Sequence, residues 1–120
     1  MDERVRQALS RGGVIDITTT GRSSGVPRRL EIVHHNIEDR LYISGRPSPH
    51  ERQWIRNLRE DARLTIHVKS PVRADLEATA RIIDQEMERR AVLEHVARAW
   101  NVQDVEPMVR HSPLIEVTLG

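Results

Sequence analysis

Val72-Arg73-Ala74-Asp75-Leu76-Glu77-Ala78-Thr79-Ala80-Arg81-Ile82 sets an apolar residue at every even position and a polar one at every odd position. A period of two marks a β-strand with one face in a core and the other in water. The run is long for a strand, and its apolar face carries small alanines. Both features fit a strand bent around a small closed barrel.

Working outward, Arg63 to Lys69 alternates as well, with Leu64, Ile66 and Val68 on one face, and Ser70-Pro71 ends it. Before it, Ser48 suits an N-cap, Pro49 a first helical position and Glu51 the acid of a capping box, so a helix is expected from there through Trp54, Ile55 and Leu58 to about Ala62. After it, Asp84 to Asn101 reads as a helix with Leu93, Val96, Ala97 and Trp100 on one stripe. Val102 to Ser112 reads as a loop and Pro113 to Leu119 as a last strand. Towards the N-terminus, residues 2–10 read as a short helix, Val14 to Thr20 and Arg28 to His35 as strands, Asn36–Arg40 as a turn and Leu41–Ser44 as a third strand. Six strands and three helices, joined by short connections, predict one mainly β (α+β) domain over residues 1–120, an antiparallel barrel with peripheral helices.

Composition narrows the function. Nineteen basic and eighteen acidic residues leave a net charge of +1, so no global attraction to nucleic acid or to an anionic membrane is expected. One Tyr, two Trp and no Phe offer little for stacking nucleobases. There is no cysteine, which excludes disulfides and thiolate catalysis. The charged N-terminus does not read as a signal peptide, and no apolar run approaches a membrane span; a cytoplasmic protein is expected. His34 and His35 are adjacent on a strand, point to opposite faces and cannot share a metal ion. No metal-ligand spacing is present, and nothing in the sequence resembles a Ser-His-Asp triad.

Chemistry concentrates in Thr18-Thr19-Thr20-Gly21-Arg22-Ser23-Ser24-Gly25-Val26-Pro27-Arg28-Arg29. A β-branched strand runs into a turn bracketed by glycines, with hydroxyls, three arginines and no acid between Asp16 and Glu31. Small residues, free backbone N–H groups and forked guanidinium groups suit a phosphate or carboxylate. They equally suit a solvated surface turn, and residue chemistry alone does not separate the two. Ser44, Gly45 and Arg46 before the next helix form a second candidate anion contact, although an ordinary helix entry explains them as well. On that helix Trp54 is the type of residue that packs in a core, while Arg56 and Asn57 are within reach of a bound group.

Residues 18–28 resemble the TTGRxSGxPR signature of the deazaflavin-dependent nitroreductase and quinone reductase family. Leu41-Tyr42-Ile43-Ser44-Gly45 followed by Trp54-Ile55-Arg56-Asn57-Leu58 is similar to the family's strand, Ser-Gly and W-x-x-N-L helix block. Together the two motifs cover about residues 14–83. The resemblance implies the split β-barrel of flavin reductases, which is FMN-binding-like, and the 8-hydroxy-5-deazaflavin coenzyme F-420. It implies that Arg22, Ser23 and Ser24 bind the phosphate-bearing side of that coenzyme. Arg28 and Arg29, with Leu30, Ile32 and Val33 along the strand, would follow the ring and ribityl chain. Tyr42, Ser44, Gly45 and Arg46 would line the opposite wall, and Gln53, Trp54, Arg56 and Asn57 would supply the helix side.

The implied activity is hydride transfer from the reduced coenzyme to a small electrophile such as a quinone or nitroaromatic, with a proton from solvent, His111 or His34. The chain departs from the family's pattern near its C-terminus. Where family members carry tyrosines it reads Trp100-Asn101-Val102, Met108, Arg110 and His111. Arg46 and His50 stand in the stretch where the family has Gly-Gly and Lys. Two alternatives stay open at this point: an FMN or FAD reductase on the same barrel, and a non-enzymatic cofactor or small-ligand binder. A homodimer is compatible with the long edge-forming strand.

Overall fold

The computed structural model describes residues 1–120. In chain order the elements are α1 (Glu3–Arg11), β1 (Gly13–Thr20), β2 (Pro27–Ile37), β3 (Arg40–Ser44), α2 (Gln53–Glu60), β4 (Arg63–Val68), β5 (Ala74–Ile82), α3 (Glu86–Ala99), α4 (Glu106–His111) and β6 (Leu114–Leu119). The six strands close into an antiparallel barrel in the order β1-β2-β3-β6-β5-β4.

The alternating run is the stave that closes it. β5 pairs with β4 through Ala74 to Thr79 and with β6 through Ala78 to Ile82. Ala78 and Ala80 are buried, while Asp75, Glu77, Thr79 and Arg81 face water. Ala78 and Ala80 share the core with Trp54, Ile55 and Leu58 of α2. Small side chains on the strand thus leave volume for large ones on the helix that plugs the barrel. At the other end α1 buries Val5, Ala8 and Leu9, and its first turn is capped by Asp2, whose carboxylate accepts from the Arg4 N–H at 2.7 Å. A second core lies outside the barrel, where Val92, Leu93 and Val96 of α3 and Met108 and Val109 of α4 cover Tyr42 and Leu114.

Two expectations need correction. The Ser48–Glu51 capping box does not form: α2 starts at Gln53, with Arg52 in extended geometry at its N-cap. The cause is competition for the same groups. The Ser48 N–H donates to His111 O at 3.1 Å, and Glu51 accepts instead from Arg59, which also reaches Asp84. The stretch 102–112 is also not all loop, because Glu106–His111 forms α4, with Pro107 in its first turn. Six residues are too few to show a helical period in sequence. No helix is long and apolar enough to cross a membrane.

The paired histidines of β2 face opposite ways, as alternation requires. Both ring nitrogens of buried His34 lie near carbonyl oxygens, Gly13 O at 3.0 Å and Leu9 O at 3.2 Å. His35 points the other way, under α3, and its buried Nε2 has no hydrogen-bond partner. Burial pushes the pKa of both below the usual 6.5, and the neighbouring His34 lowers His35 further. The unfolded chain therefore binds more protons than the folded one below about pH 6.5, and stability falls as the pH drops through that range. A melting series from pH 8 to 5 should show a declining Tm, and His35→Phe should flatten the decline. A decline of the same steepness in the variant would mean that His35 does not contribute to it.

Candidate functional site

The two motifs meet across one continuous groove. A hollow of about 510 Å³ lies between the β1–β2 turn (Gly21 to Ser24), Arg28 to Leu30 of β2, and Gln53, Trp54 and Asn57 of α2. A larger cleft of about 970 Å³ runs on from it, between Leu30–Val33 of β2, Ser44–Pro47 after β3, and the α3–α4 connection from Trp100 to Met108. Leu30 and Trp54 belong to both.

The turn is tight because its glycines permit it. Gly25 sits at φ +70°, and the Gly21 N–H donates to Val26 O at 2.9 Å. A Cβ on Gly21 would come within 2.9 Å of Val26 O, so a side chain there would push the turn open. Ser24 Oγ accepts from the Val26 N–H, and Ser23 is exposed beside it.

Arg22 is held by neutral acceptors. Its guanidinium donates to Asn57 Oδ1 at 3.1 Å and to Gln53 Oε1 at 2.7 Å, and its own backbone N–H also donates to Asn57 Oδ1. Asn57 is buried and donates from Nδ2 to Thr19 Oγ1, which ties the assembly to the barrel. Two amide oxygens orient the guanidinium without cancelling its charge, as a carboxylate would. Arg29 differs. It pairs with Asp16 at 2.9 Å, and Lys69 joins the same carboxylate at 2.8 Å and reaches Glu31 at 2.7 Å. Lys69 first, then Arg29, holds the Asp16 carboxyl below its usual range. The β1–β2 register, with Asp16 opposite Glu31, places both acids beside the basic run that they flank in sequence.

On the far wall Ser44 Oγ donates to Pro113 O at 2.7 Å, so that hydroxyl fastens β3 to the start of β6. Gly45 lies against Pro113, where a Cβ would meet the ring at 3.2 Å. Arg52 donates to Arg46 O and braces the loop rim.

Most of the sequence-derived candidates thus gather on the groove: Arg22, Ser23, Ser24, Arg28, Arg29, Leu30, Ile32, Val33, Ser44, Gly45, Arg46, Gln53, Trp54 and Asn57. Tyr42 and Arg56 do not. Tyr42 pairs with His35 across β2–β3 and packs beneath α3 and α4, and Arg56 is exposed on another face of α2. His34 and His111, named as proton sources, line neither cavity.

Trp100, Val102, Asp104, Pro107, Met108 and Arg52 complete the cleft and were not singled out as site residues by sequence reading. The available signal was Trp100, the last residue on the apolar stripe of α3. The structure also contains an arrangement that no spacing in the chain suggests. His67 Nε2 lies 2.7 Å from Thr18 Oγ1, and His67 Nδ1 lies 2.7 Å from Asp75 Oδ1. The order is that of a hydroxyl–imidazole–carboxylate relay. It braces the outer face of β1, β4 and β5, lines neither cavity of the groove, and its Asp75 side chain is 75% exposed.

A family model described as F420H(2)-dependent quinone reductase matches residues 2–117. No curated protein matches. Among solved structures, a candidate 5-nitroimidazole antibiotic resistance protein from Bacteroides thetaiotaomicron superposes with a TM-score of 0.71 at 17% identity, over 99% of this chain and 80% of that one. A conserved hypothetical protein of Mycobacterium tuberculosis gives 0.76 at 14% identity, over 99% and 80%. A FAD-binding protein from Mesorhizobium loti gives 0.63 at 12% identity, over 100% and 90%. At such identities the likeness establishes the fold, the split barrel.

Proposed function

Because the chain belongs to the F420H(2)-dependent quinone reductase family, an oxidoreductase family, we propose that it reduces a small quinone or nitroaromatic at the expense of reduced coenzyme F-420 in the groove between the β1–β2 turn and the α3–α4 connection. The observation that carries this reading is the uncancelled charge of Arg22, held in place by two neutral amides.

The residues present fit the coenzyme. Its phosphate and carboxylate groups match the donors of the smaller hollow: the forks of Arg22 and Arg28 and the hydroxyls of Ser23 and Ser24. The larger cleft, at about 970 Å³, falls within the range of small-molecule sites and has aromatic and aliphatic walls for a flat ring system. Leu30 to Val33 would carry the ring along β2, with Ser44 to Arg46 opposite and Gln53 and Asn57 fixing the Arg22 fork.

When bound, the reduced deazaflavin supplies the hydride. The protein's part is to hold donor and acceptor face to face and to keep water from the reacting faces. Reduction of a quinone to a hydroquinone takes one hydride and one proton. With His34 and His111 outside the groove, the proton comes from solvent at its open side.

The test follows oxidation of the reduced coenzyme by absorbance in the presence of protein and either 2-methyl-1,4-naphthoquinone or a nitroaromatic. Oxidation that depends on both protein and acceptor is expected. A rate no greater than that of the protein-free mixture would refute the reading.

A further inference from the structure

His35 plays no part in the groove as described, yet it stands directly behind one of its walls. Trp100 lines the larger cleft together with Val33, Val102 and Met108. Its backbone is fixed by the way α3 ends. Asn101 takes φ +56°, its N–H donates to Arg98 O at 3.2 Å, and the Val102 N–H donates to Ala97 O at 2.8 Å. These two bonds form a Schellman closure, with Asn in the left-handed position that favours glycine or asparagine. The closure sets where the Trp100 side chain starts but leaves its rotamer free.

What meets the indole is the ring of His35, at a centroid distance of 5.4 Å and a tilt of 56°. Tilted contacts at this separation are the favoured geometry for aromatic pairs. His35 is itself fixed by β2, where it pairs with Tyr42 of β3. Its Nε2 is buried and unpartnered, so the ring serves here as a packing surface and not as a hydrogen-bonding group.

We propose that His35 is a positioning residue for acceptor binding: its uncharged ring packs behind Trp100 and holds the indole as the flat wall on which a planar, uncharged aromatic acceptor stacks. This rests on the proposed function, with the coenzyme ring between β2 and Ser44–Arg46 and the acceptor entering the same cleft at its Trp100 end. Burial disfavours the imidazolium and lowers the His35 pKa.

The test uses His35→Phe, which keeps a ring, His35→Gln, which keeps polarity and loses the ring, and Trp100→Leu. In the coenzyme-free protein carrying Trp54→Phe, Trp100 is the sole tryptophan and reports its own exposure. His35→Gln should make its emission more accessible to acrylamide, and His35→Phe should not. In the coenzyme-loaded enzyme His35→Gln and Trp100→Leu should raise the KM for 2-methyl-1,4-naphthoquinone about five- to tenfold, the range expected for one aromatic contact. His35→Phe should restore it, and deazaflavin affinity should change far less than the KM throughout. Parent-like KM and quenching in His35→Gln would overturn the proposal, as would a His35→Phe variant as impaired as His35→Gln. If His35→Gln fails to fold, a parent-like KM in Trp100→Leu overturns it. Loss of deazaflavin binding in the unmodified protein would instead overturn the functional reading beneath it.

Discussion

Replacing Arg22 by alanine is expected to weaken deazaflavin binding by about 1.5–3 kcal/mol, roughly ten- to more than a hundredfold in Kd. The effect is large because the charge is both oriented and uncancelled. The guanidinium leans on Asn57 and Gln53, neither of which is anionic, whereas Arg29 already shares Asp16 with Lys69. The fold should lose little, since the Arg22 backbone N–H keeps its bond to Asn57 Oδ1 and the side chain is exposed. Arg22→Lys should recover only part of the affinity, because an ammonium cannot reach both amides and an anion in one plane. Fluorescence titration gives the affinities and thermal melting the stability. Unchanged affinity with a collapsed Tm would make Arg22 a structural residue.

Arg89→Met is expected to cost about 3–5 kcal/mol of stability, on the order of 10–20 °C in Tm. Arg89 is half-buried on α3 and donates to four carbonyls, those of Ile83, Met108, Val109 and Ser112. Burial pushes its pKa down, although it remains charged. One side chain thus closes the C-terminal end of α4 and ties it to α3 and to the approach of β6. Removing it takes the side-chain donor from four part-buried carbonyls at once. Arg89→Lys keeps the charge but loses the fork and should fall between parent and Met. Because α4 carries Met108 of the cleft, acceptor binding should suffer in the Met variant below its Tm, while coenzyme binding at the β1–β2 turn should not. A Tm within a few degrees of the parent would show that water replaces the guanidinium at those carbonyls.

The parts of this molecule that were legible in sequence are those set by short-range periodicity. The 72–82 run could be read as a barrel stave because each of its residues must choose between core and water, and that choice repeats every two positions. The β1–β2 turn was equally legible, since its glycines, hydroxyls and arginines are neighbours in the chain. What escaped depends on partners distant in sequence. Ser48 and Glu51 have the right residues for a capping box, but His111 and Arg59 take their bonds. The run from Asp16 to Glu31 looks uniformly basic until the β1–β2 register sets those two acids opposite each other. Tyr42 shares its strand face with Ser44 of the groove, yet α3 and α4 pack over it. The Trp100 wall joins the end of α3 to β2, and the Thr18–His67–Asp75 relay joins three strands; neither leaves a local pattern.

A groove whose free cations sit at one end and whose apolar walls sit at the other is proposed to take a deazaflavin. The most direct measurement is an equilibrium fluorescence titration of the purified protein with oxidised coenzyme F-420, run beside FMN. Saturable deazaflavin binding at micromolar concentration or tighter is expected, with FMN much weaker. Tighter binding of FMN, or saturable binding of neither, would contradict the proposed function.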